Sequence, residues 1–264
     1  MYFYVYDSFL QDKKYAKILA EIEAKLIDLS IQGRTTKLNI LNDMRELIGD
    51  AVRRGAETVV VLGDDKTVSK ALQGVADLNV TVGFIPVGSG PHALARYIGI
   101  PEGIAACEVV SRRIKERIDI ARVNGNYFAF YLKSLSPHIK IVSPDRKYSI
   151  TPIATNAEVY ICNFKPAELD LEYQHTQFFK PQDGKLELVV NTVPESSFFN
   201  KFFKTTATSG EYTILSFEKI RLEQERPEYD VRLVLDGDKI IKPPVEITVV
   251  PQKVEVIVGT ERLF

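Results

Sequence analysis

Cysteine, charge of one sign and long apolar runs are all scarce in this 264-residue chain, and each scarcity closes off a class of function. Only two cysteines occur, Cys107 and Cys162, far apart, with no Cys-x-x-Cys pair and no histidine near either. Neither a disulfide framework nor a structural zinc site is indicated, and a reducing cytoplasm suits the chain. Basic residues number 34 and acidic residues 35, a formal net charge of −1, so the basic excess of a dedicated nucleic-acid binder is missing. No uncharged apolar run reaches about 18 residues, so no transmembrane segment is expected and membrane contact is confined to the periphery. Met1 to Tyr6 meets Asp7 with neither a basic stretch nor a long apolar core before it, and reads as a strand, not a leader peptide. Internal repeats and low-complexity segments are also lacking.

What is present is an ordinary globular mixture, 45% hydrophobic and 26% charged, long enough for one large or two modest domains. Of the 13 prolines only Pro86, Pro91 and Pro101 precede residue 115, and strand-like alternation takes over after them. In the first part Tyr15, Ile18, Leu19, Ile22, Leu26 and Leu29 recur at helical spacing. Met44, Leu47, Ile48, Ala51 and Val52 do the same before Gly55, a helix stop. Val59–Leu62 and Val80–Ile85 are short, apolar and rich in β-branched residues, as buried strands of a parallel sheet are. The expected fold is therefore an α/β domain with a parallel sheet over residues 1–115, followed by a mainly β, sandwich-like domain over 116–264.

In the second part Arg117–Val123, Asn124–Gly125–Asn126 and Tyr127–Leu132 form a hairpin signature, because Asn-Gly suits a turn that needs positive φ. Leu186–Val190, Val231–Leu235, Glu246–Val250 and Lys253–Val258 read as further strands, 196–203 as a short helix, and Glu223–Tyr229 as a loop.

Chemistry is expected where strands end. Val59–Leu62 runs into Gly63-Asp64-Asp65-Lys66-Thr67 and then a helical pattern. Phe84-Ile85-Pro86 runs into Val87-Gly88-Ser89-Gly90-Pro91 and a second helix. Unpaired N–H groups at a helix start favour phosphate, and ligands collect at the carboxyl ends of parallel strands. Taken singly, each loop is a weak signal and more simply an ordinary strand-to-helix connection that needs glycine. The two in succession suit a single nucleotide.

These loops resemble those of the diacylglycerol kinase catalytic superfamily, which includes bacterial lipid kinases, sphingosine kinases and, more distantly, NAD kinases. Gly63–Thr67 is similar to that family's Gly-Gly-Asp-Gly-Thr. Ile85–Arg96 is similar to its Ile-Pro-x-Gly-Thr-Gly-Asn-Asp-x-Ala-Arg, with Gly99-Ile100-Pro101 continuing the match. Farther on, Arg117–Ile120 with Val123-Asn124-Gly125, then Asp183-Gly184-Lys185-Leu186, then Leu235-Asp236-Gly237-Asp238 follow in the family's order.

The resemblance implies a nucleotide-binding first domain and an acceptor-binding second domain, with ATP and magnesium as cofactors. Asp65 would organise phosphate and magnesium, and Asp238 would take the hydroxyl proton. Gly63, Asp64, Asp65, Lys66, Thr67, Gly88, Ser89 and Gly90 would line the nucleotide site, with Thr67 and Ser89 donating hydroxyls. Thr36 would touch the nucleotide, although Thr35 aligns nearly as well. Asp183, with the carbonyls of Lys180 and Lys185, would hold a structural magnesium.

Several positions depart from the family pattern. Asp64 replaces a glycine and brings bulk and negative charge to the place of phosphate. Lys66 either supplies a cation or pairs with Asp64 or Asp65. Pro91-His92 replaces Asn-Asp, Lys70 replaces an acid, and Asp7-Ser8-Phe9-Leu10 replaces a glycine turn. Asp238 is one methylene shorter than the family's glutamate. His138 and His175 receive no role. Phe178-Phe179 and 198–203 suit a lipid pocket or membrane contact, and core packing or a dimer contact equally. Arg112, Arg113, Lys115 and Arg117 read as a solvated face.

Three functions follow from the resemblance. The first is an ATP-dependent kinase of diacylglycerol or a related lipid, cytoplasmic or peripheral to the inner face of the membrane. The second is a catalytically impaired relative that binds nucleotide, lipid or a protein partner. The third is an NAD kinase. A lipid acceptor at a membrane surface and a homodimer are the partners considered, and nucleic acid is not among them.

Overall fold

Thr58–Gly63 and Thr81–Pro86 are strands in which every residue is buried, as expected for β-branched runs covered on both faces by helices. In the computed structural model, which describes residues 1–39, 43–90, 92–166, 168–169, 178–192 and 211–264, they belong to the first of two compact units. Pro91, His175 and the proposed helix 196–203 lie outside the described residues. The first unit gathers Met1–Ile120, Pro181–Asp183 and Val250–Phe264, and the second Ala121–Lys180 and Gly184–Val249.

The first unit alternates strands and helices: β1 (Tyr2–Tyr6), α1 (Ala16–Asp28), β2 (Arg34–Lys37), α2 (Met44–Arg53), β3 (Thr58–Gly63), α3 (Asp65–Val75), β4 (Thr81–Pro86), α4 (Ala93–Tyr97) and α5 (Ala105–Arg112). The strands pair in parallel in the order β2-β1-β3-β4. Helix α1 buries Ile22 and Leu26, two members of its apolar spacing. Helix α2 starts at Asp43, whose carboxylate accepts the Arg45 N–H at 2.6 Å, and gives way to Gly55 at φ 87°.

The chain continues through β5 (Lys115–Val123), β6 (Asn126–Phe128), β7 (Tyr131–Ser134), β8 (Ile139–Val142), β9 (Ser149–Ile150), β10 (Ala157–Cys162), β11 (Leu186–Thr192), β12 (Glu211–Phe217), β13 (Lys219–Gln224), β14 (Leu233–Leu235), β15 (Lys239–Ile241) and β16 (Val245–Ile257). Where a serial boundary after residue 115 is expected, the chain end rejoins the first unit. The close of β16 pairs in parallel with β4, Glu255 beside Thr81 and Val256 beside Val82.

In the second unit an antiparallel sheet orders β12-β11-β10-β7-β14-β15. A second layer holds β8, β9, β13 and the start of β16. Leu132, Ile161 and Leu188 from the first layer meet Ile141, Leu222 and Ile247 from the second in one apolar core, the sandwich-like arrangement expected.

Two strands differ from expectation. The hairpin partner of β5 stops at Phe128 instead of running to Leu132, because Ala129, Phe130 and Tyr131 turn their N–H groups to the Asp236 carboxylate. Strand β16 runs unbroken past Pro251, where two strands are expected. Gln252 takes φ 47° and its N–H donates to the Asp119 carboxylate at 2.8 Å, so the ladder bends without ending. Among the described residues no helix is long and apolar enough to cross a membrane.

Candidate active site

The first loop is built by a strand that runs out of apolar residues and a helix that needs a cap. Asp64 follows β3 in extended conformation, and its carboxylate accepts the Thr67 N–H at 3.0 Å. An aspartate is a strong cap because its oxygen satisfies a donor that the first helical turn leaves open. The Thr67 hydroxyl lies 3.0 Å from the same Asp64 oxygen and 2.5 Å from an oxygen of Asp7, at the end of β1. One hydroxyl proton therefore serves two carboxylates. Thr67 is 1% exposed, so its hydroxyl is spent inside the protein. Gly63 is required by the same contact, since a Cβ there would lie 2.5 Å from the Thr67 hydroxyl oxygen.

The second loop follows β4 and is tied to the first. The Val87 N–H donates to the Gly63 carbonyl at 3.0 Å. Gly88 has φ 135°, and a Cβ there would meet the Phe9 ring at 3.2 Å, so glycine is needed for both conformation and space. Ser89 is exposed, and a Cβ on Gly90 would lie in ordinary contact with the Cβ of Asp64, at 3.6 Å. His92 is buried in left-handed conformation, with Nε2 3.4 Å from the Gly88 carbonyl.

Helix α4 is capped not by His92 but by Asp65, whose carboxylate accepts the Ala93 N–H at 2.7 Å. Burial lifts the Asp65 carboxyl above its ordinary range, and the Ala93 and Leu94 N–H groups offset part of that rise. Lys66 is exposed, and the ion pairs of the described residues do not include it, so pairing with Asp64 or Asp65 is not how it is used.

A hollow of about 530 Å³ opens on these loops, lined by Ser8, Phe9, Asp12, Lys14, Tyr15, Asp64, Ser89 and Gly90. A second space of about 510 Å³ shares Tyr15 and is lined by Gly88, His92 and Glu102 among others. The structure thus brings Gly63–Thr67 together with Gly88–Gly90. Asp7, Phe9 and Tyr15 join them without having been singled out for the site. The signal for Asp7 and Phe9 in the sequence is the segment standing in place of the glycine turn, and Tyr15 shows there only as part of a helical apolar spacing.

Thr36, half-buried and beside Val5 in the sheet, lines a separate hollow of about 530 Å³ with Thr35, Arg34, Asp50 and Arg54. Asp183 lies on an exposed turn, flanked by the exposed Lys180 and Lys185. Among the described residues no three His, Cys, Asp or Glu side chains gather to hold a metal. In the second unit Asp238 is exposed, just past a turn in which Asp236 and Gly237 take φ 47° and 74°. The turn closes with the Asp238 N–H on the Leu235 carbonyl at 3.0 Å. The acid that residue-type reasoning passed over is Asp236. It is 6% exposed and accepts three N–H groups, from Ala129, Phe130 and Tyr131, at 2.8, 2.9 and 3.0 Å.

Known proteins resemble this chain in part of its sequence and in fold. Residues 4–123 match the family model of the diacylglycerol kinase catalytic domain. The chain is 30% identical over 118 residues to a diacylglycerol kinase of Bacillus subtilis, covering 43% of this chain and 39% of that one. It is 38% identical over 84 residues to a diacylglycerol kinase of Mycobacterium tuberculosis, covering 31% and 27%. The chain thus spans well under half the length of these two relatives. A putative lipid kinase of Streptococcus pneumoniae is 24% identical over 244 residues, covering 81% of this chain and 83% of that one. In fold, a crystal structure of a diacylglycerol kinase from Bacillus anthracis aligns with TM-score 0.75 at 16% identity, over 98% of this chain and 97% of that one.

Proposed function

Because residues 4–123 match the family model of the diacylglycerol kinase catalytic domain and the chain shares its fold over 98% of its length with a diacylglycerol kinase structure, we propose that the protein is an ATP-dependent lipid kinase acting on a hydroxyl of diacylglycerol or a related lipid. The observation that carries the reading is the coupling of the two strand-end loops. The Val87 N–H on the Gly63 carbonyl and the Ala93 N–H on the Asp65 carboxylate make one surface of them beside an open hollow. Parallel strands deliver ligand-binding loops at this end of a sheet.

In the proposed reaction the acceptor hydroxyl oxygen bonds to the γ-phosphorus of ATP. The bond from that phosphorus to the β–γ bridging oxygen breaks, and ADP leaves. The hydroxyl proton passes to a carboxylate, the role proposed for Asp238. Magnesium carried by the triphosphate would offset its charge. The loop backbone around Gly88, Ser89 and Gly90 positions the phosphates, and Asp65 fixes the start of α4 beside them. A membrane surface is where such an acceptor is met.

A second reading, a family member that binds nucleotide without transfer, is favoured by one observation. The Thr67 N–H and hydroxyl are already occupied by Asp64 and Asp7.

The test is transfer of label from γ-labelled ATP with magnesium to vesicles containing diacylglycerol. Labelled lipid is expected, and Asp238→Asn is expected to lower the rate by about a hundredfold or more. Binding of MgATP with no labelled lipid would establish the second reading, and label appearing on added NAD would establish an NAD kinase.

A further inference from the structure

Asp64 faces in two directions. One carboxylate oxygen sits 3.0 Å from the Thr67 N–H and 3.0 Å from its hydroxyl, at the start of an eleven-residue helix. The residue is also partly exposed and forms part of the wall of the hollow together with Ser89 and Gly90. It therefore stands between the hollow and the helix end, holding with its own negative charge the donors that would attract an anion. The charged lining of the hollow points the same way, with Asp12 and Asp64 against a single ammonium, Lys14. Lys14 itself lies 3.8 Å from Asp12. Behind Asp64, the Asp7 carboxylate shares the Thr67 hydroxyl and adds a second negative charge.

We propose that Asp64 is an internal competitor for the polyphosphate of the nucleotide, a specificity-determining residue that sets the affinity of the loop according to the charge of the incoming ligand. The proposal rests on the reading that these loops bind a nucleotide. It follows from the exchange that binding requires: an entering phosphate must either displace the Asp64 carboxylate from Thr67 or settle beside it against like-charge repulsion. A ligand with no phosphate pays neither cost. The carboxylate should thus lower the affinity for the triphosphate and leave that for the nucleoside alone.

The experiment is calorimetric titration of the full chain, wild type, Asp64→Asn and Asp64→Ser, with MgATP and with adenosine. Asparagine and serine are both good helix caps, so either replacement keeps an acceptor for the Thr67 N–H while removing the charge. Tightening of MgATP binding by about tenfold in both variants, with adenosine binding unchanged, is the expected result. A merely structural role for Asp64 would not produce a gain confined to the phosphate-bearing ligand. Equal MgATP affinity in wild type and variants would overturn the inference and leave nucleotide binding standing, as would equal tightening of both ligands. Absence of MgATP binding in all three proteins at millimolar concentration would instead overturn the nucleotide reading, and this inference with it.

Discussion

The loop at Asp64 in the first unit and the turn at Asp236 in the second use the same residue type for the same local task, satisfying backbone N–H groups at a bend, yet they differ in what surrounds the carboxylate. Asp236 is 6% exposed and both of its oxygens are engaged, by the N–H groups of three consecutive residues. Asp64 is partly exposed, accepts one N–H and one hydroxyl, and borders an open hollow. A fully enclosed and saturated carboxylate is part of the architecture; one that is half-satisfied at an opening can exchange its partners for those of a ligand. The two acids of the Asp236-Gly237-Asp238 segment divide in the same way, Asp236 turned into the fold and Asp238 exposed.

The largest expected effect tests the architectural side of that contrast. Asp236→Ala leaves three N–H groups without acceptors in a buried place and should cost about 3 kcal/mol or more. Urea unfolding measures it, and the second unit carries the loss. Asp236→Asn keeps one acceptor oxygen and should cost less. A loss below about 1 kcal/mol for the alanine variant would show that the three hydrogen bonds do not distinguish Asp236 from Asp64.

How much of this was legible in the sequence depends on the distance in sequence over which each contact acts. Val59–Leu62, Val80–Ile85 and the Met44–Val52 spacing foretell β3, β4 and α2 because burial on one face or both writes a local pattern. The Asp64 cap is equally local, an acid three residues before Thr67. The Asp7 contact to the same threonine spans 60 positions, that of Asp65 to Ala93 spans 28, and that of Asp236 to Ala129 spans 107. No periodicity reports such pairs. For the same reason the break after Phe128 was missed: its cause, the Asp236 carboxylate, lies in another hairpin. The passage of β16 through Pro251 was missed because the sequence shows the lost donor but not the bend and the Asp119 acceptor that accommodate it.

A smaller effect is expected inside the loop. Thr67→Val keeps the shape of the side chain and removes the hydroxyl that two carboxylates share, so Asp7 and Asp64 face each other without the intervening proton. A loss of about 1–2 kcal/mol is expected in urea unfolding, less than for Asp236→Ala because Asp64 retains the Thr67 N–H and partial access to water. Thr67→Ser, which restores the hydroxyl, should recover most of the loss. Equal costs for the valine and serine variants would assign the effect to the methyl group and remove the hydroxyl from the account.

The smallest effect concerns Asp65 and has the opposite sign. Its carboxyl is held above the ordinary range chiefly by burial, so the folded protein binds that proton more tightly than the unfolded chain does. Stability from this group is therefore present below the unfolded value, about pH 4, and is lost as pH rises through the folded value. At neutral pH the wild type carries a desolvated charge that Asp65→Asn lacks, while the asparagine oxygen can still accept the Ala93 N–H. The variant should melt at the wild-type temperature near pH 3 and about 2 °C above it at pH 7, a difference that grows with pH through the acid range. A variant that melts lower at pH 7 would mean that the charge of Asp65 is worth more to the start of α4 than its burial costs. Asp65 would then belong with Asp236 as architecture, and the contrast between enclosed and open carboxylates would narrow to Asp64 alone.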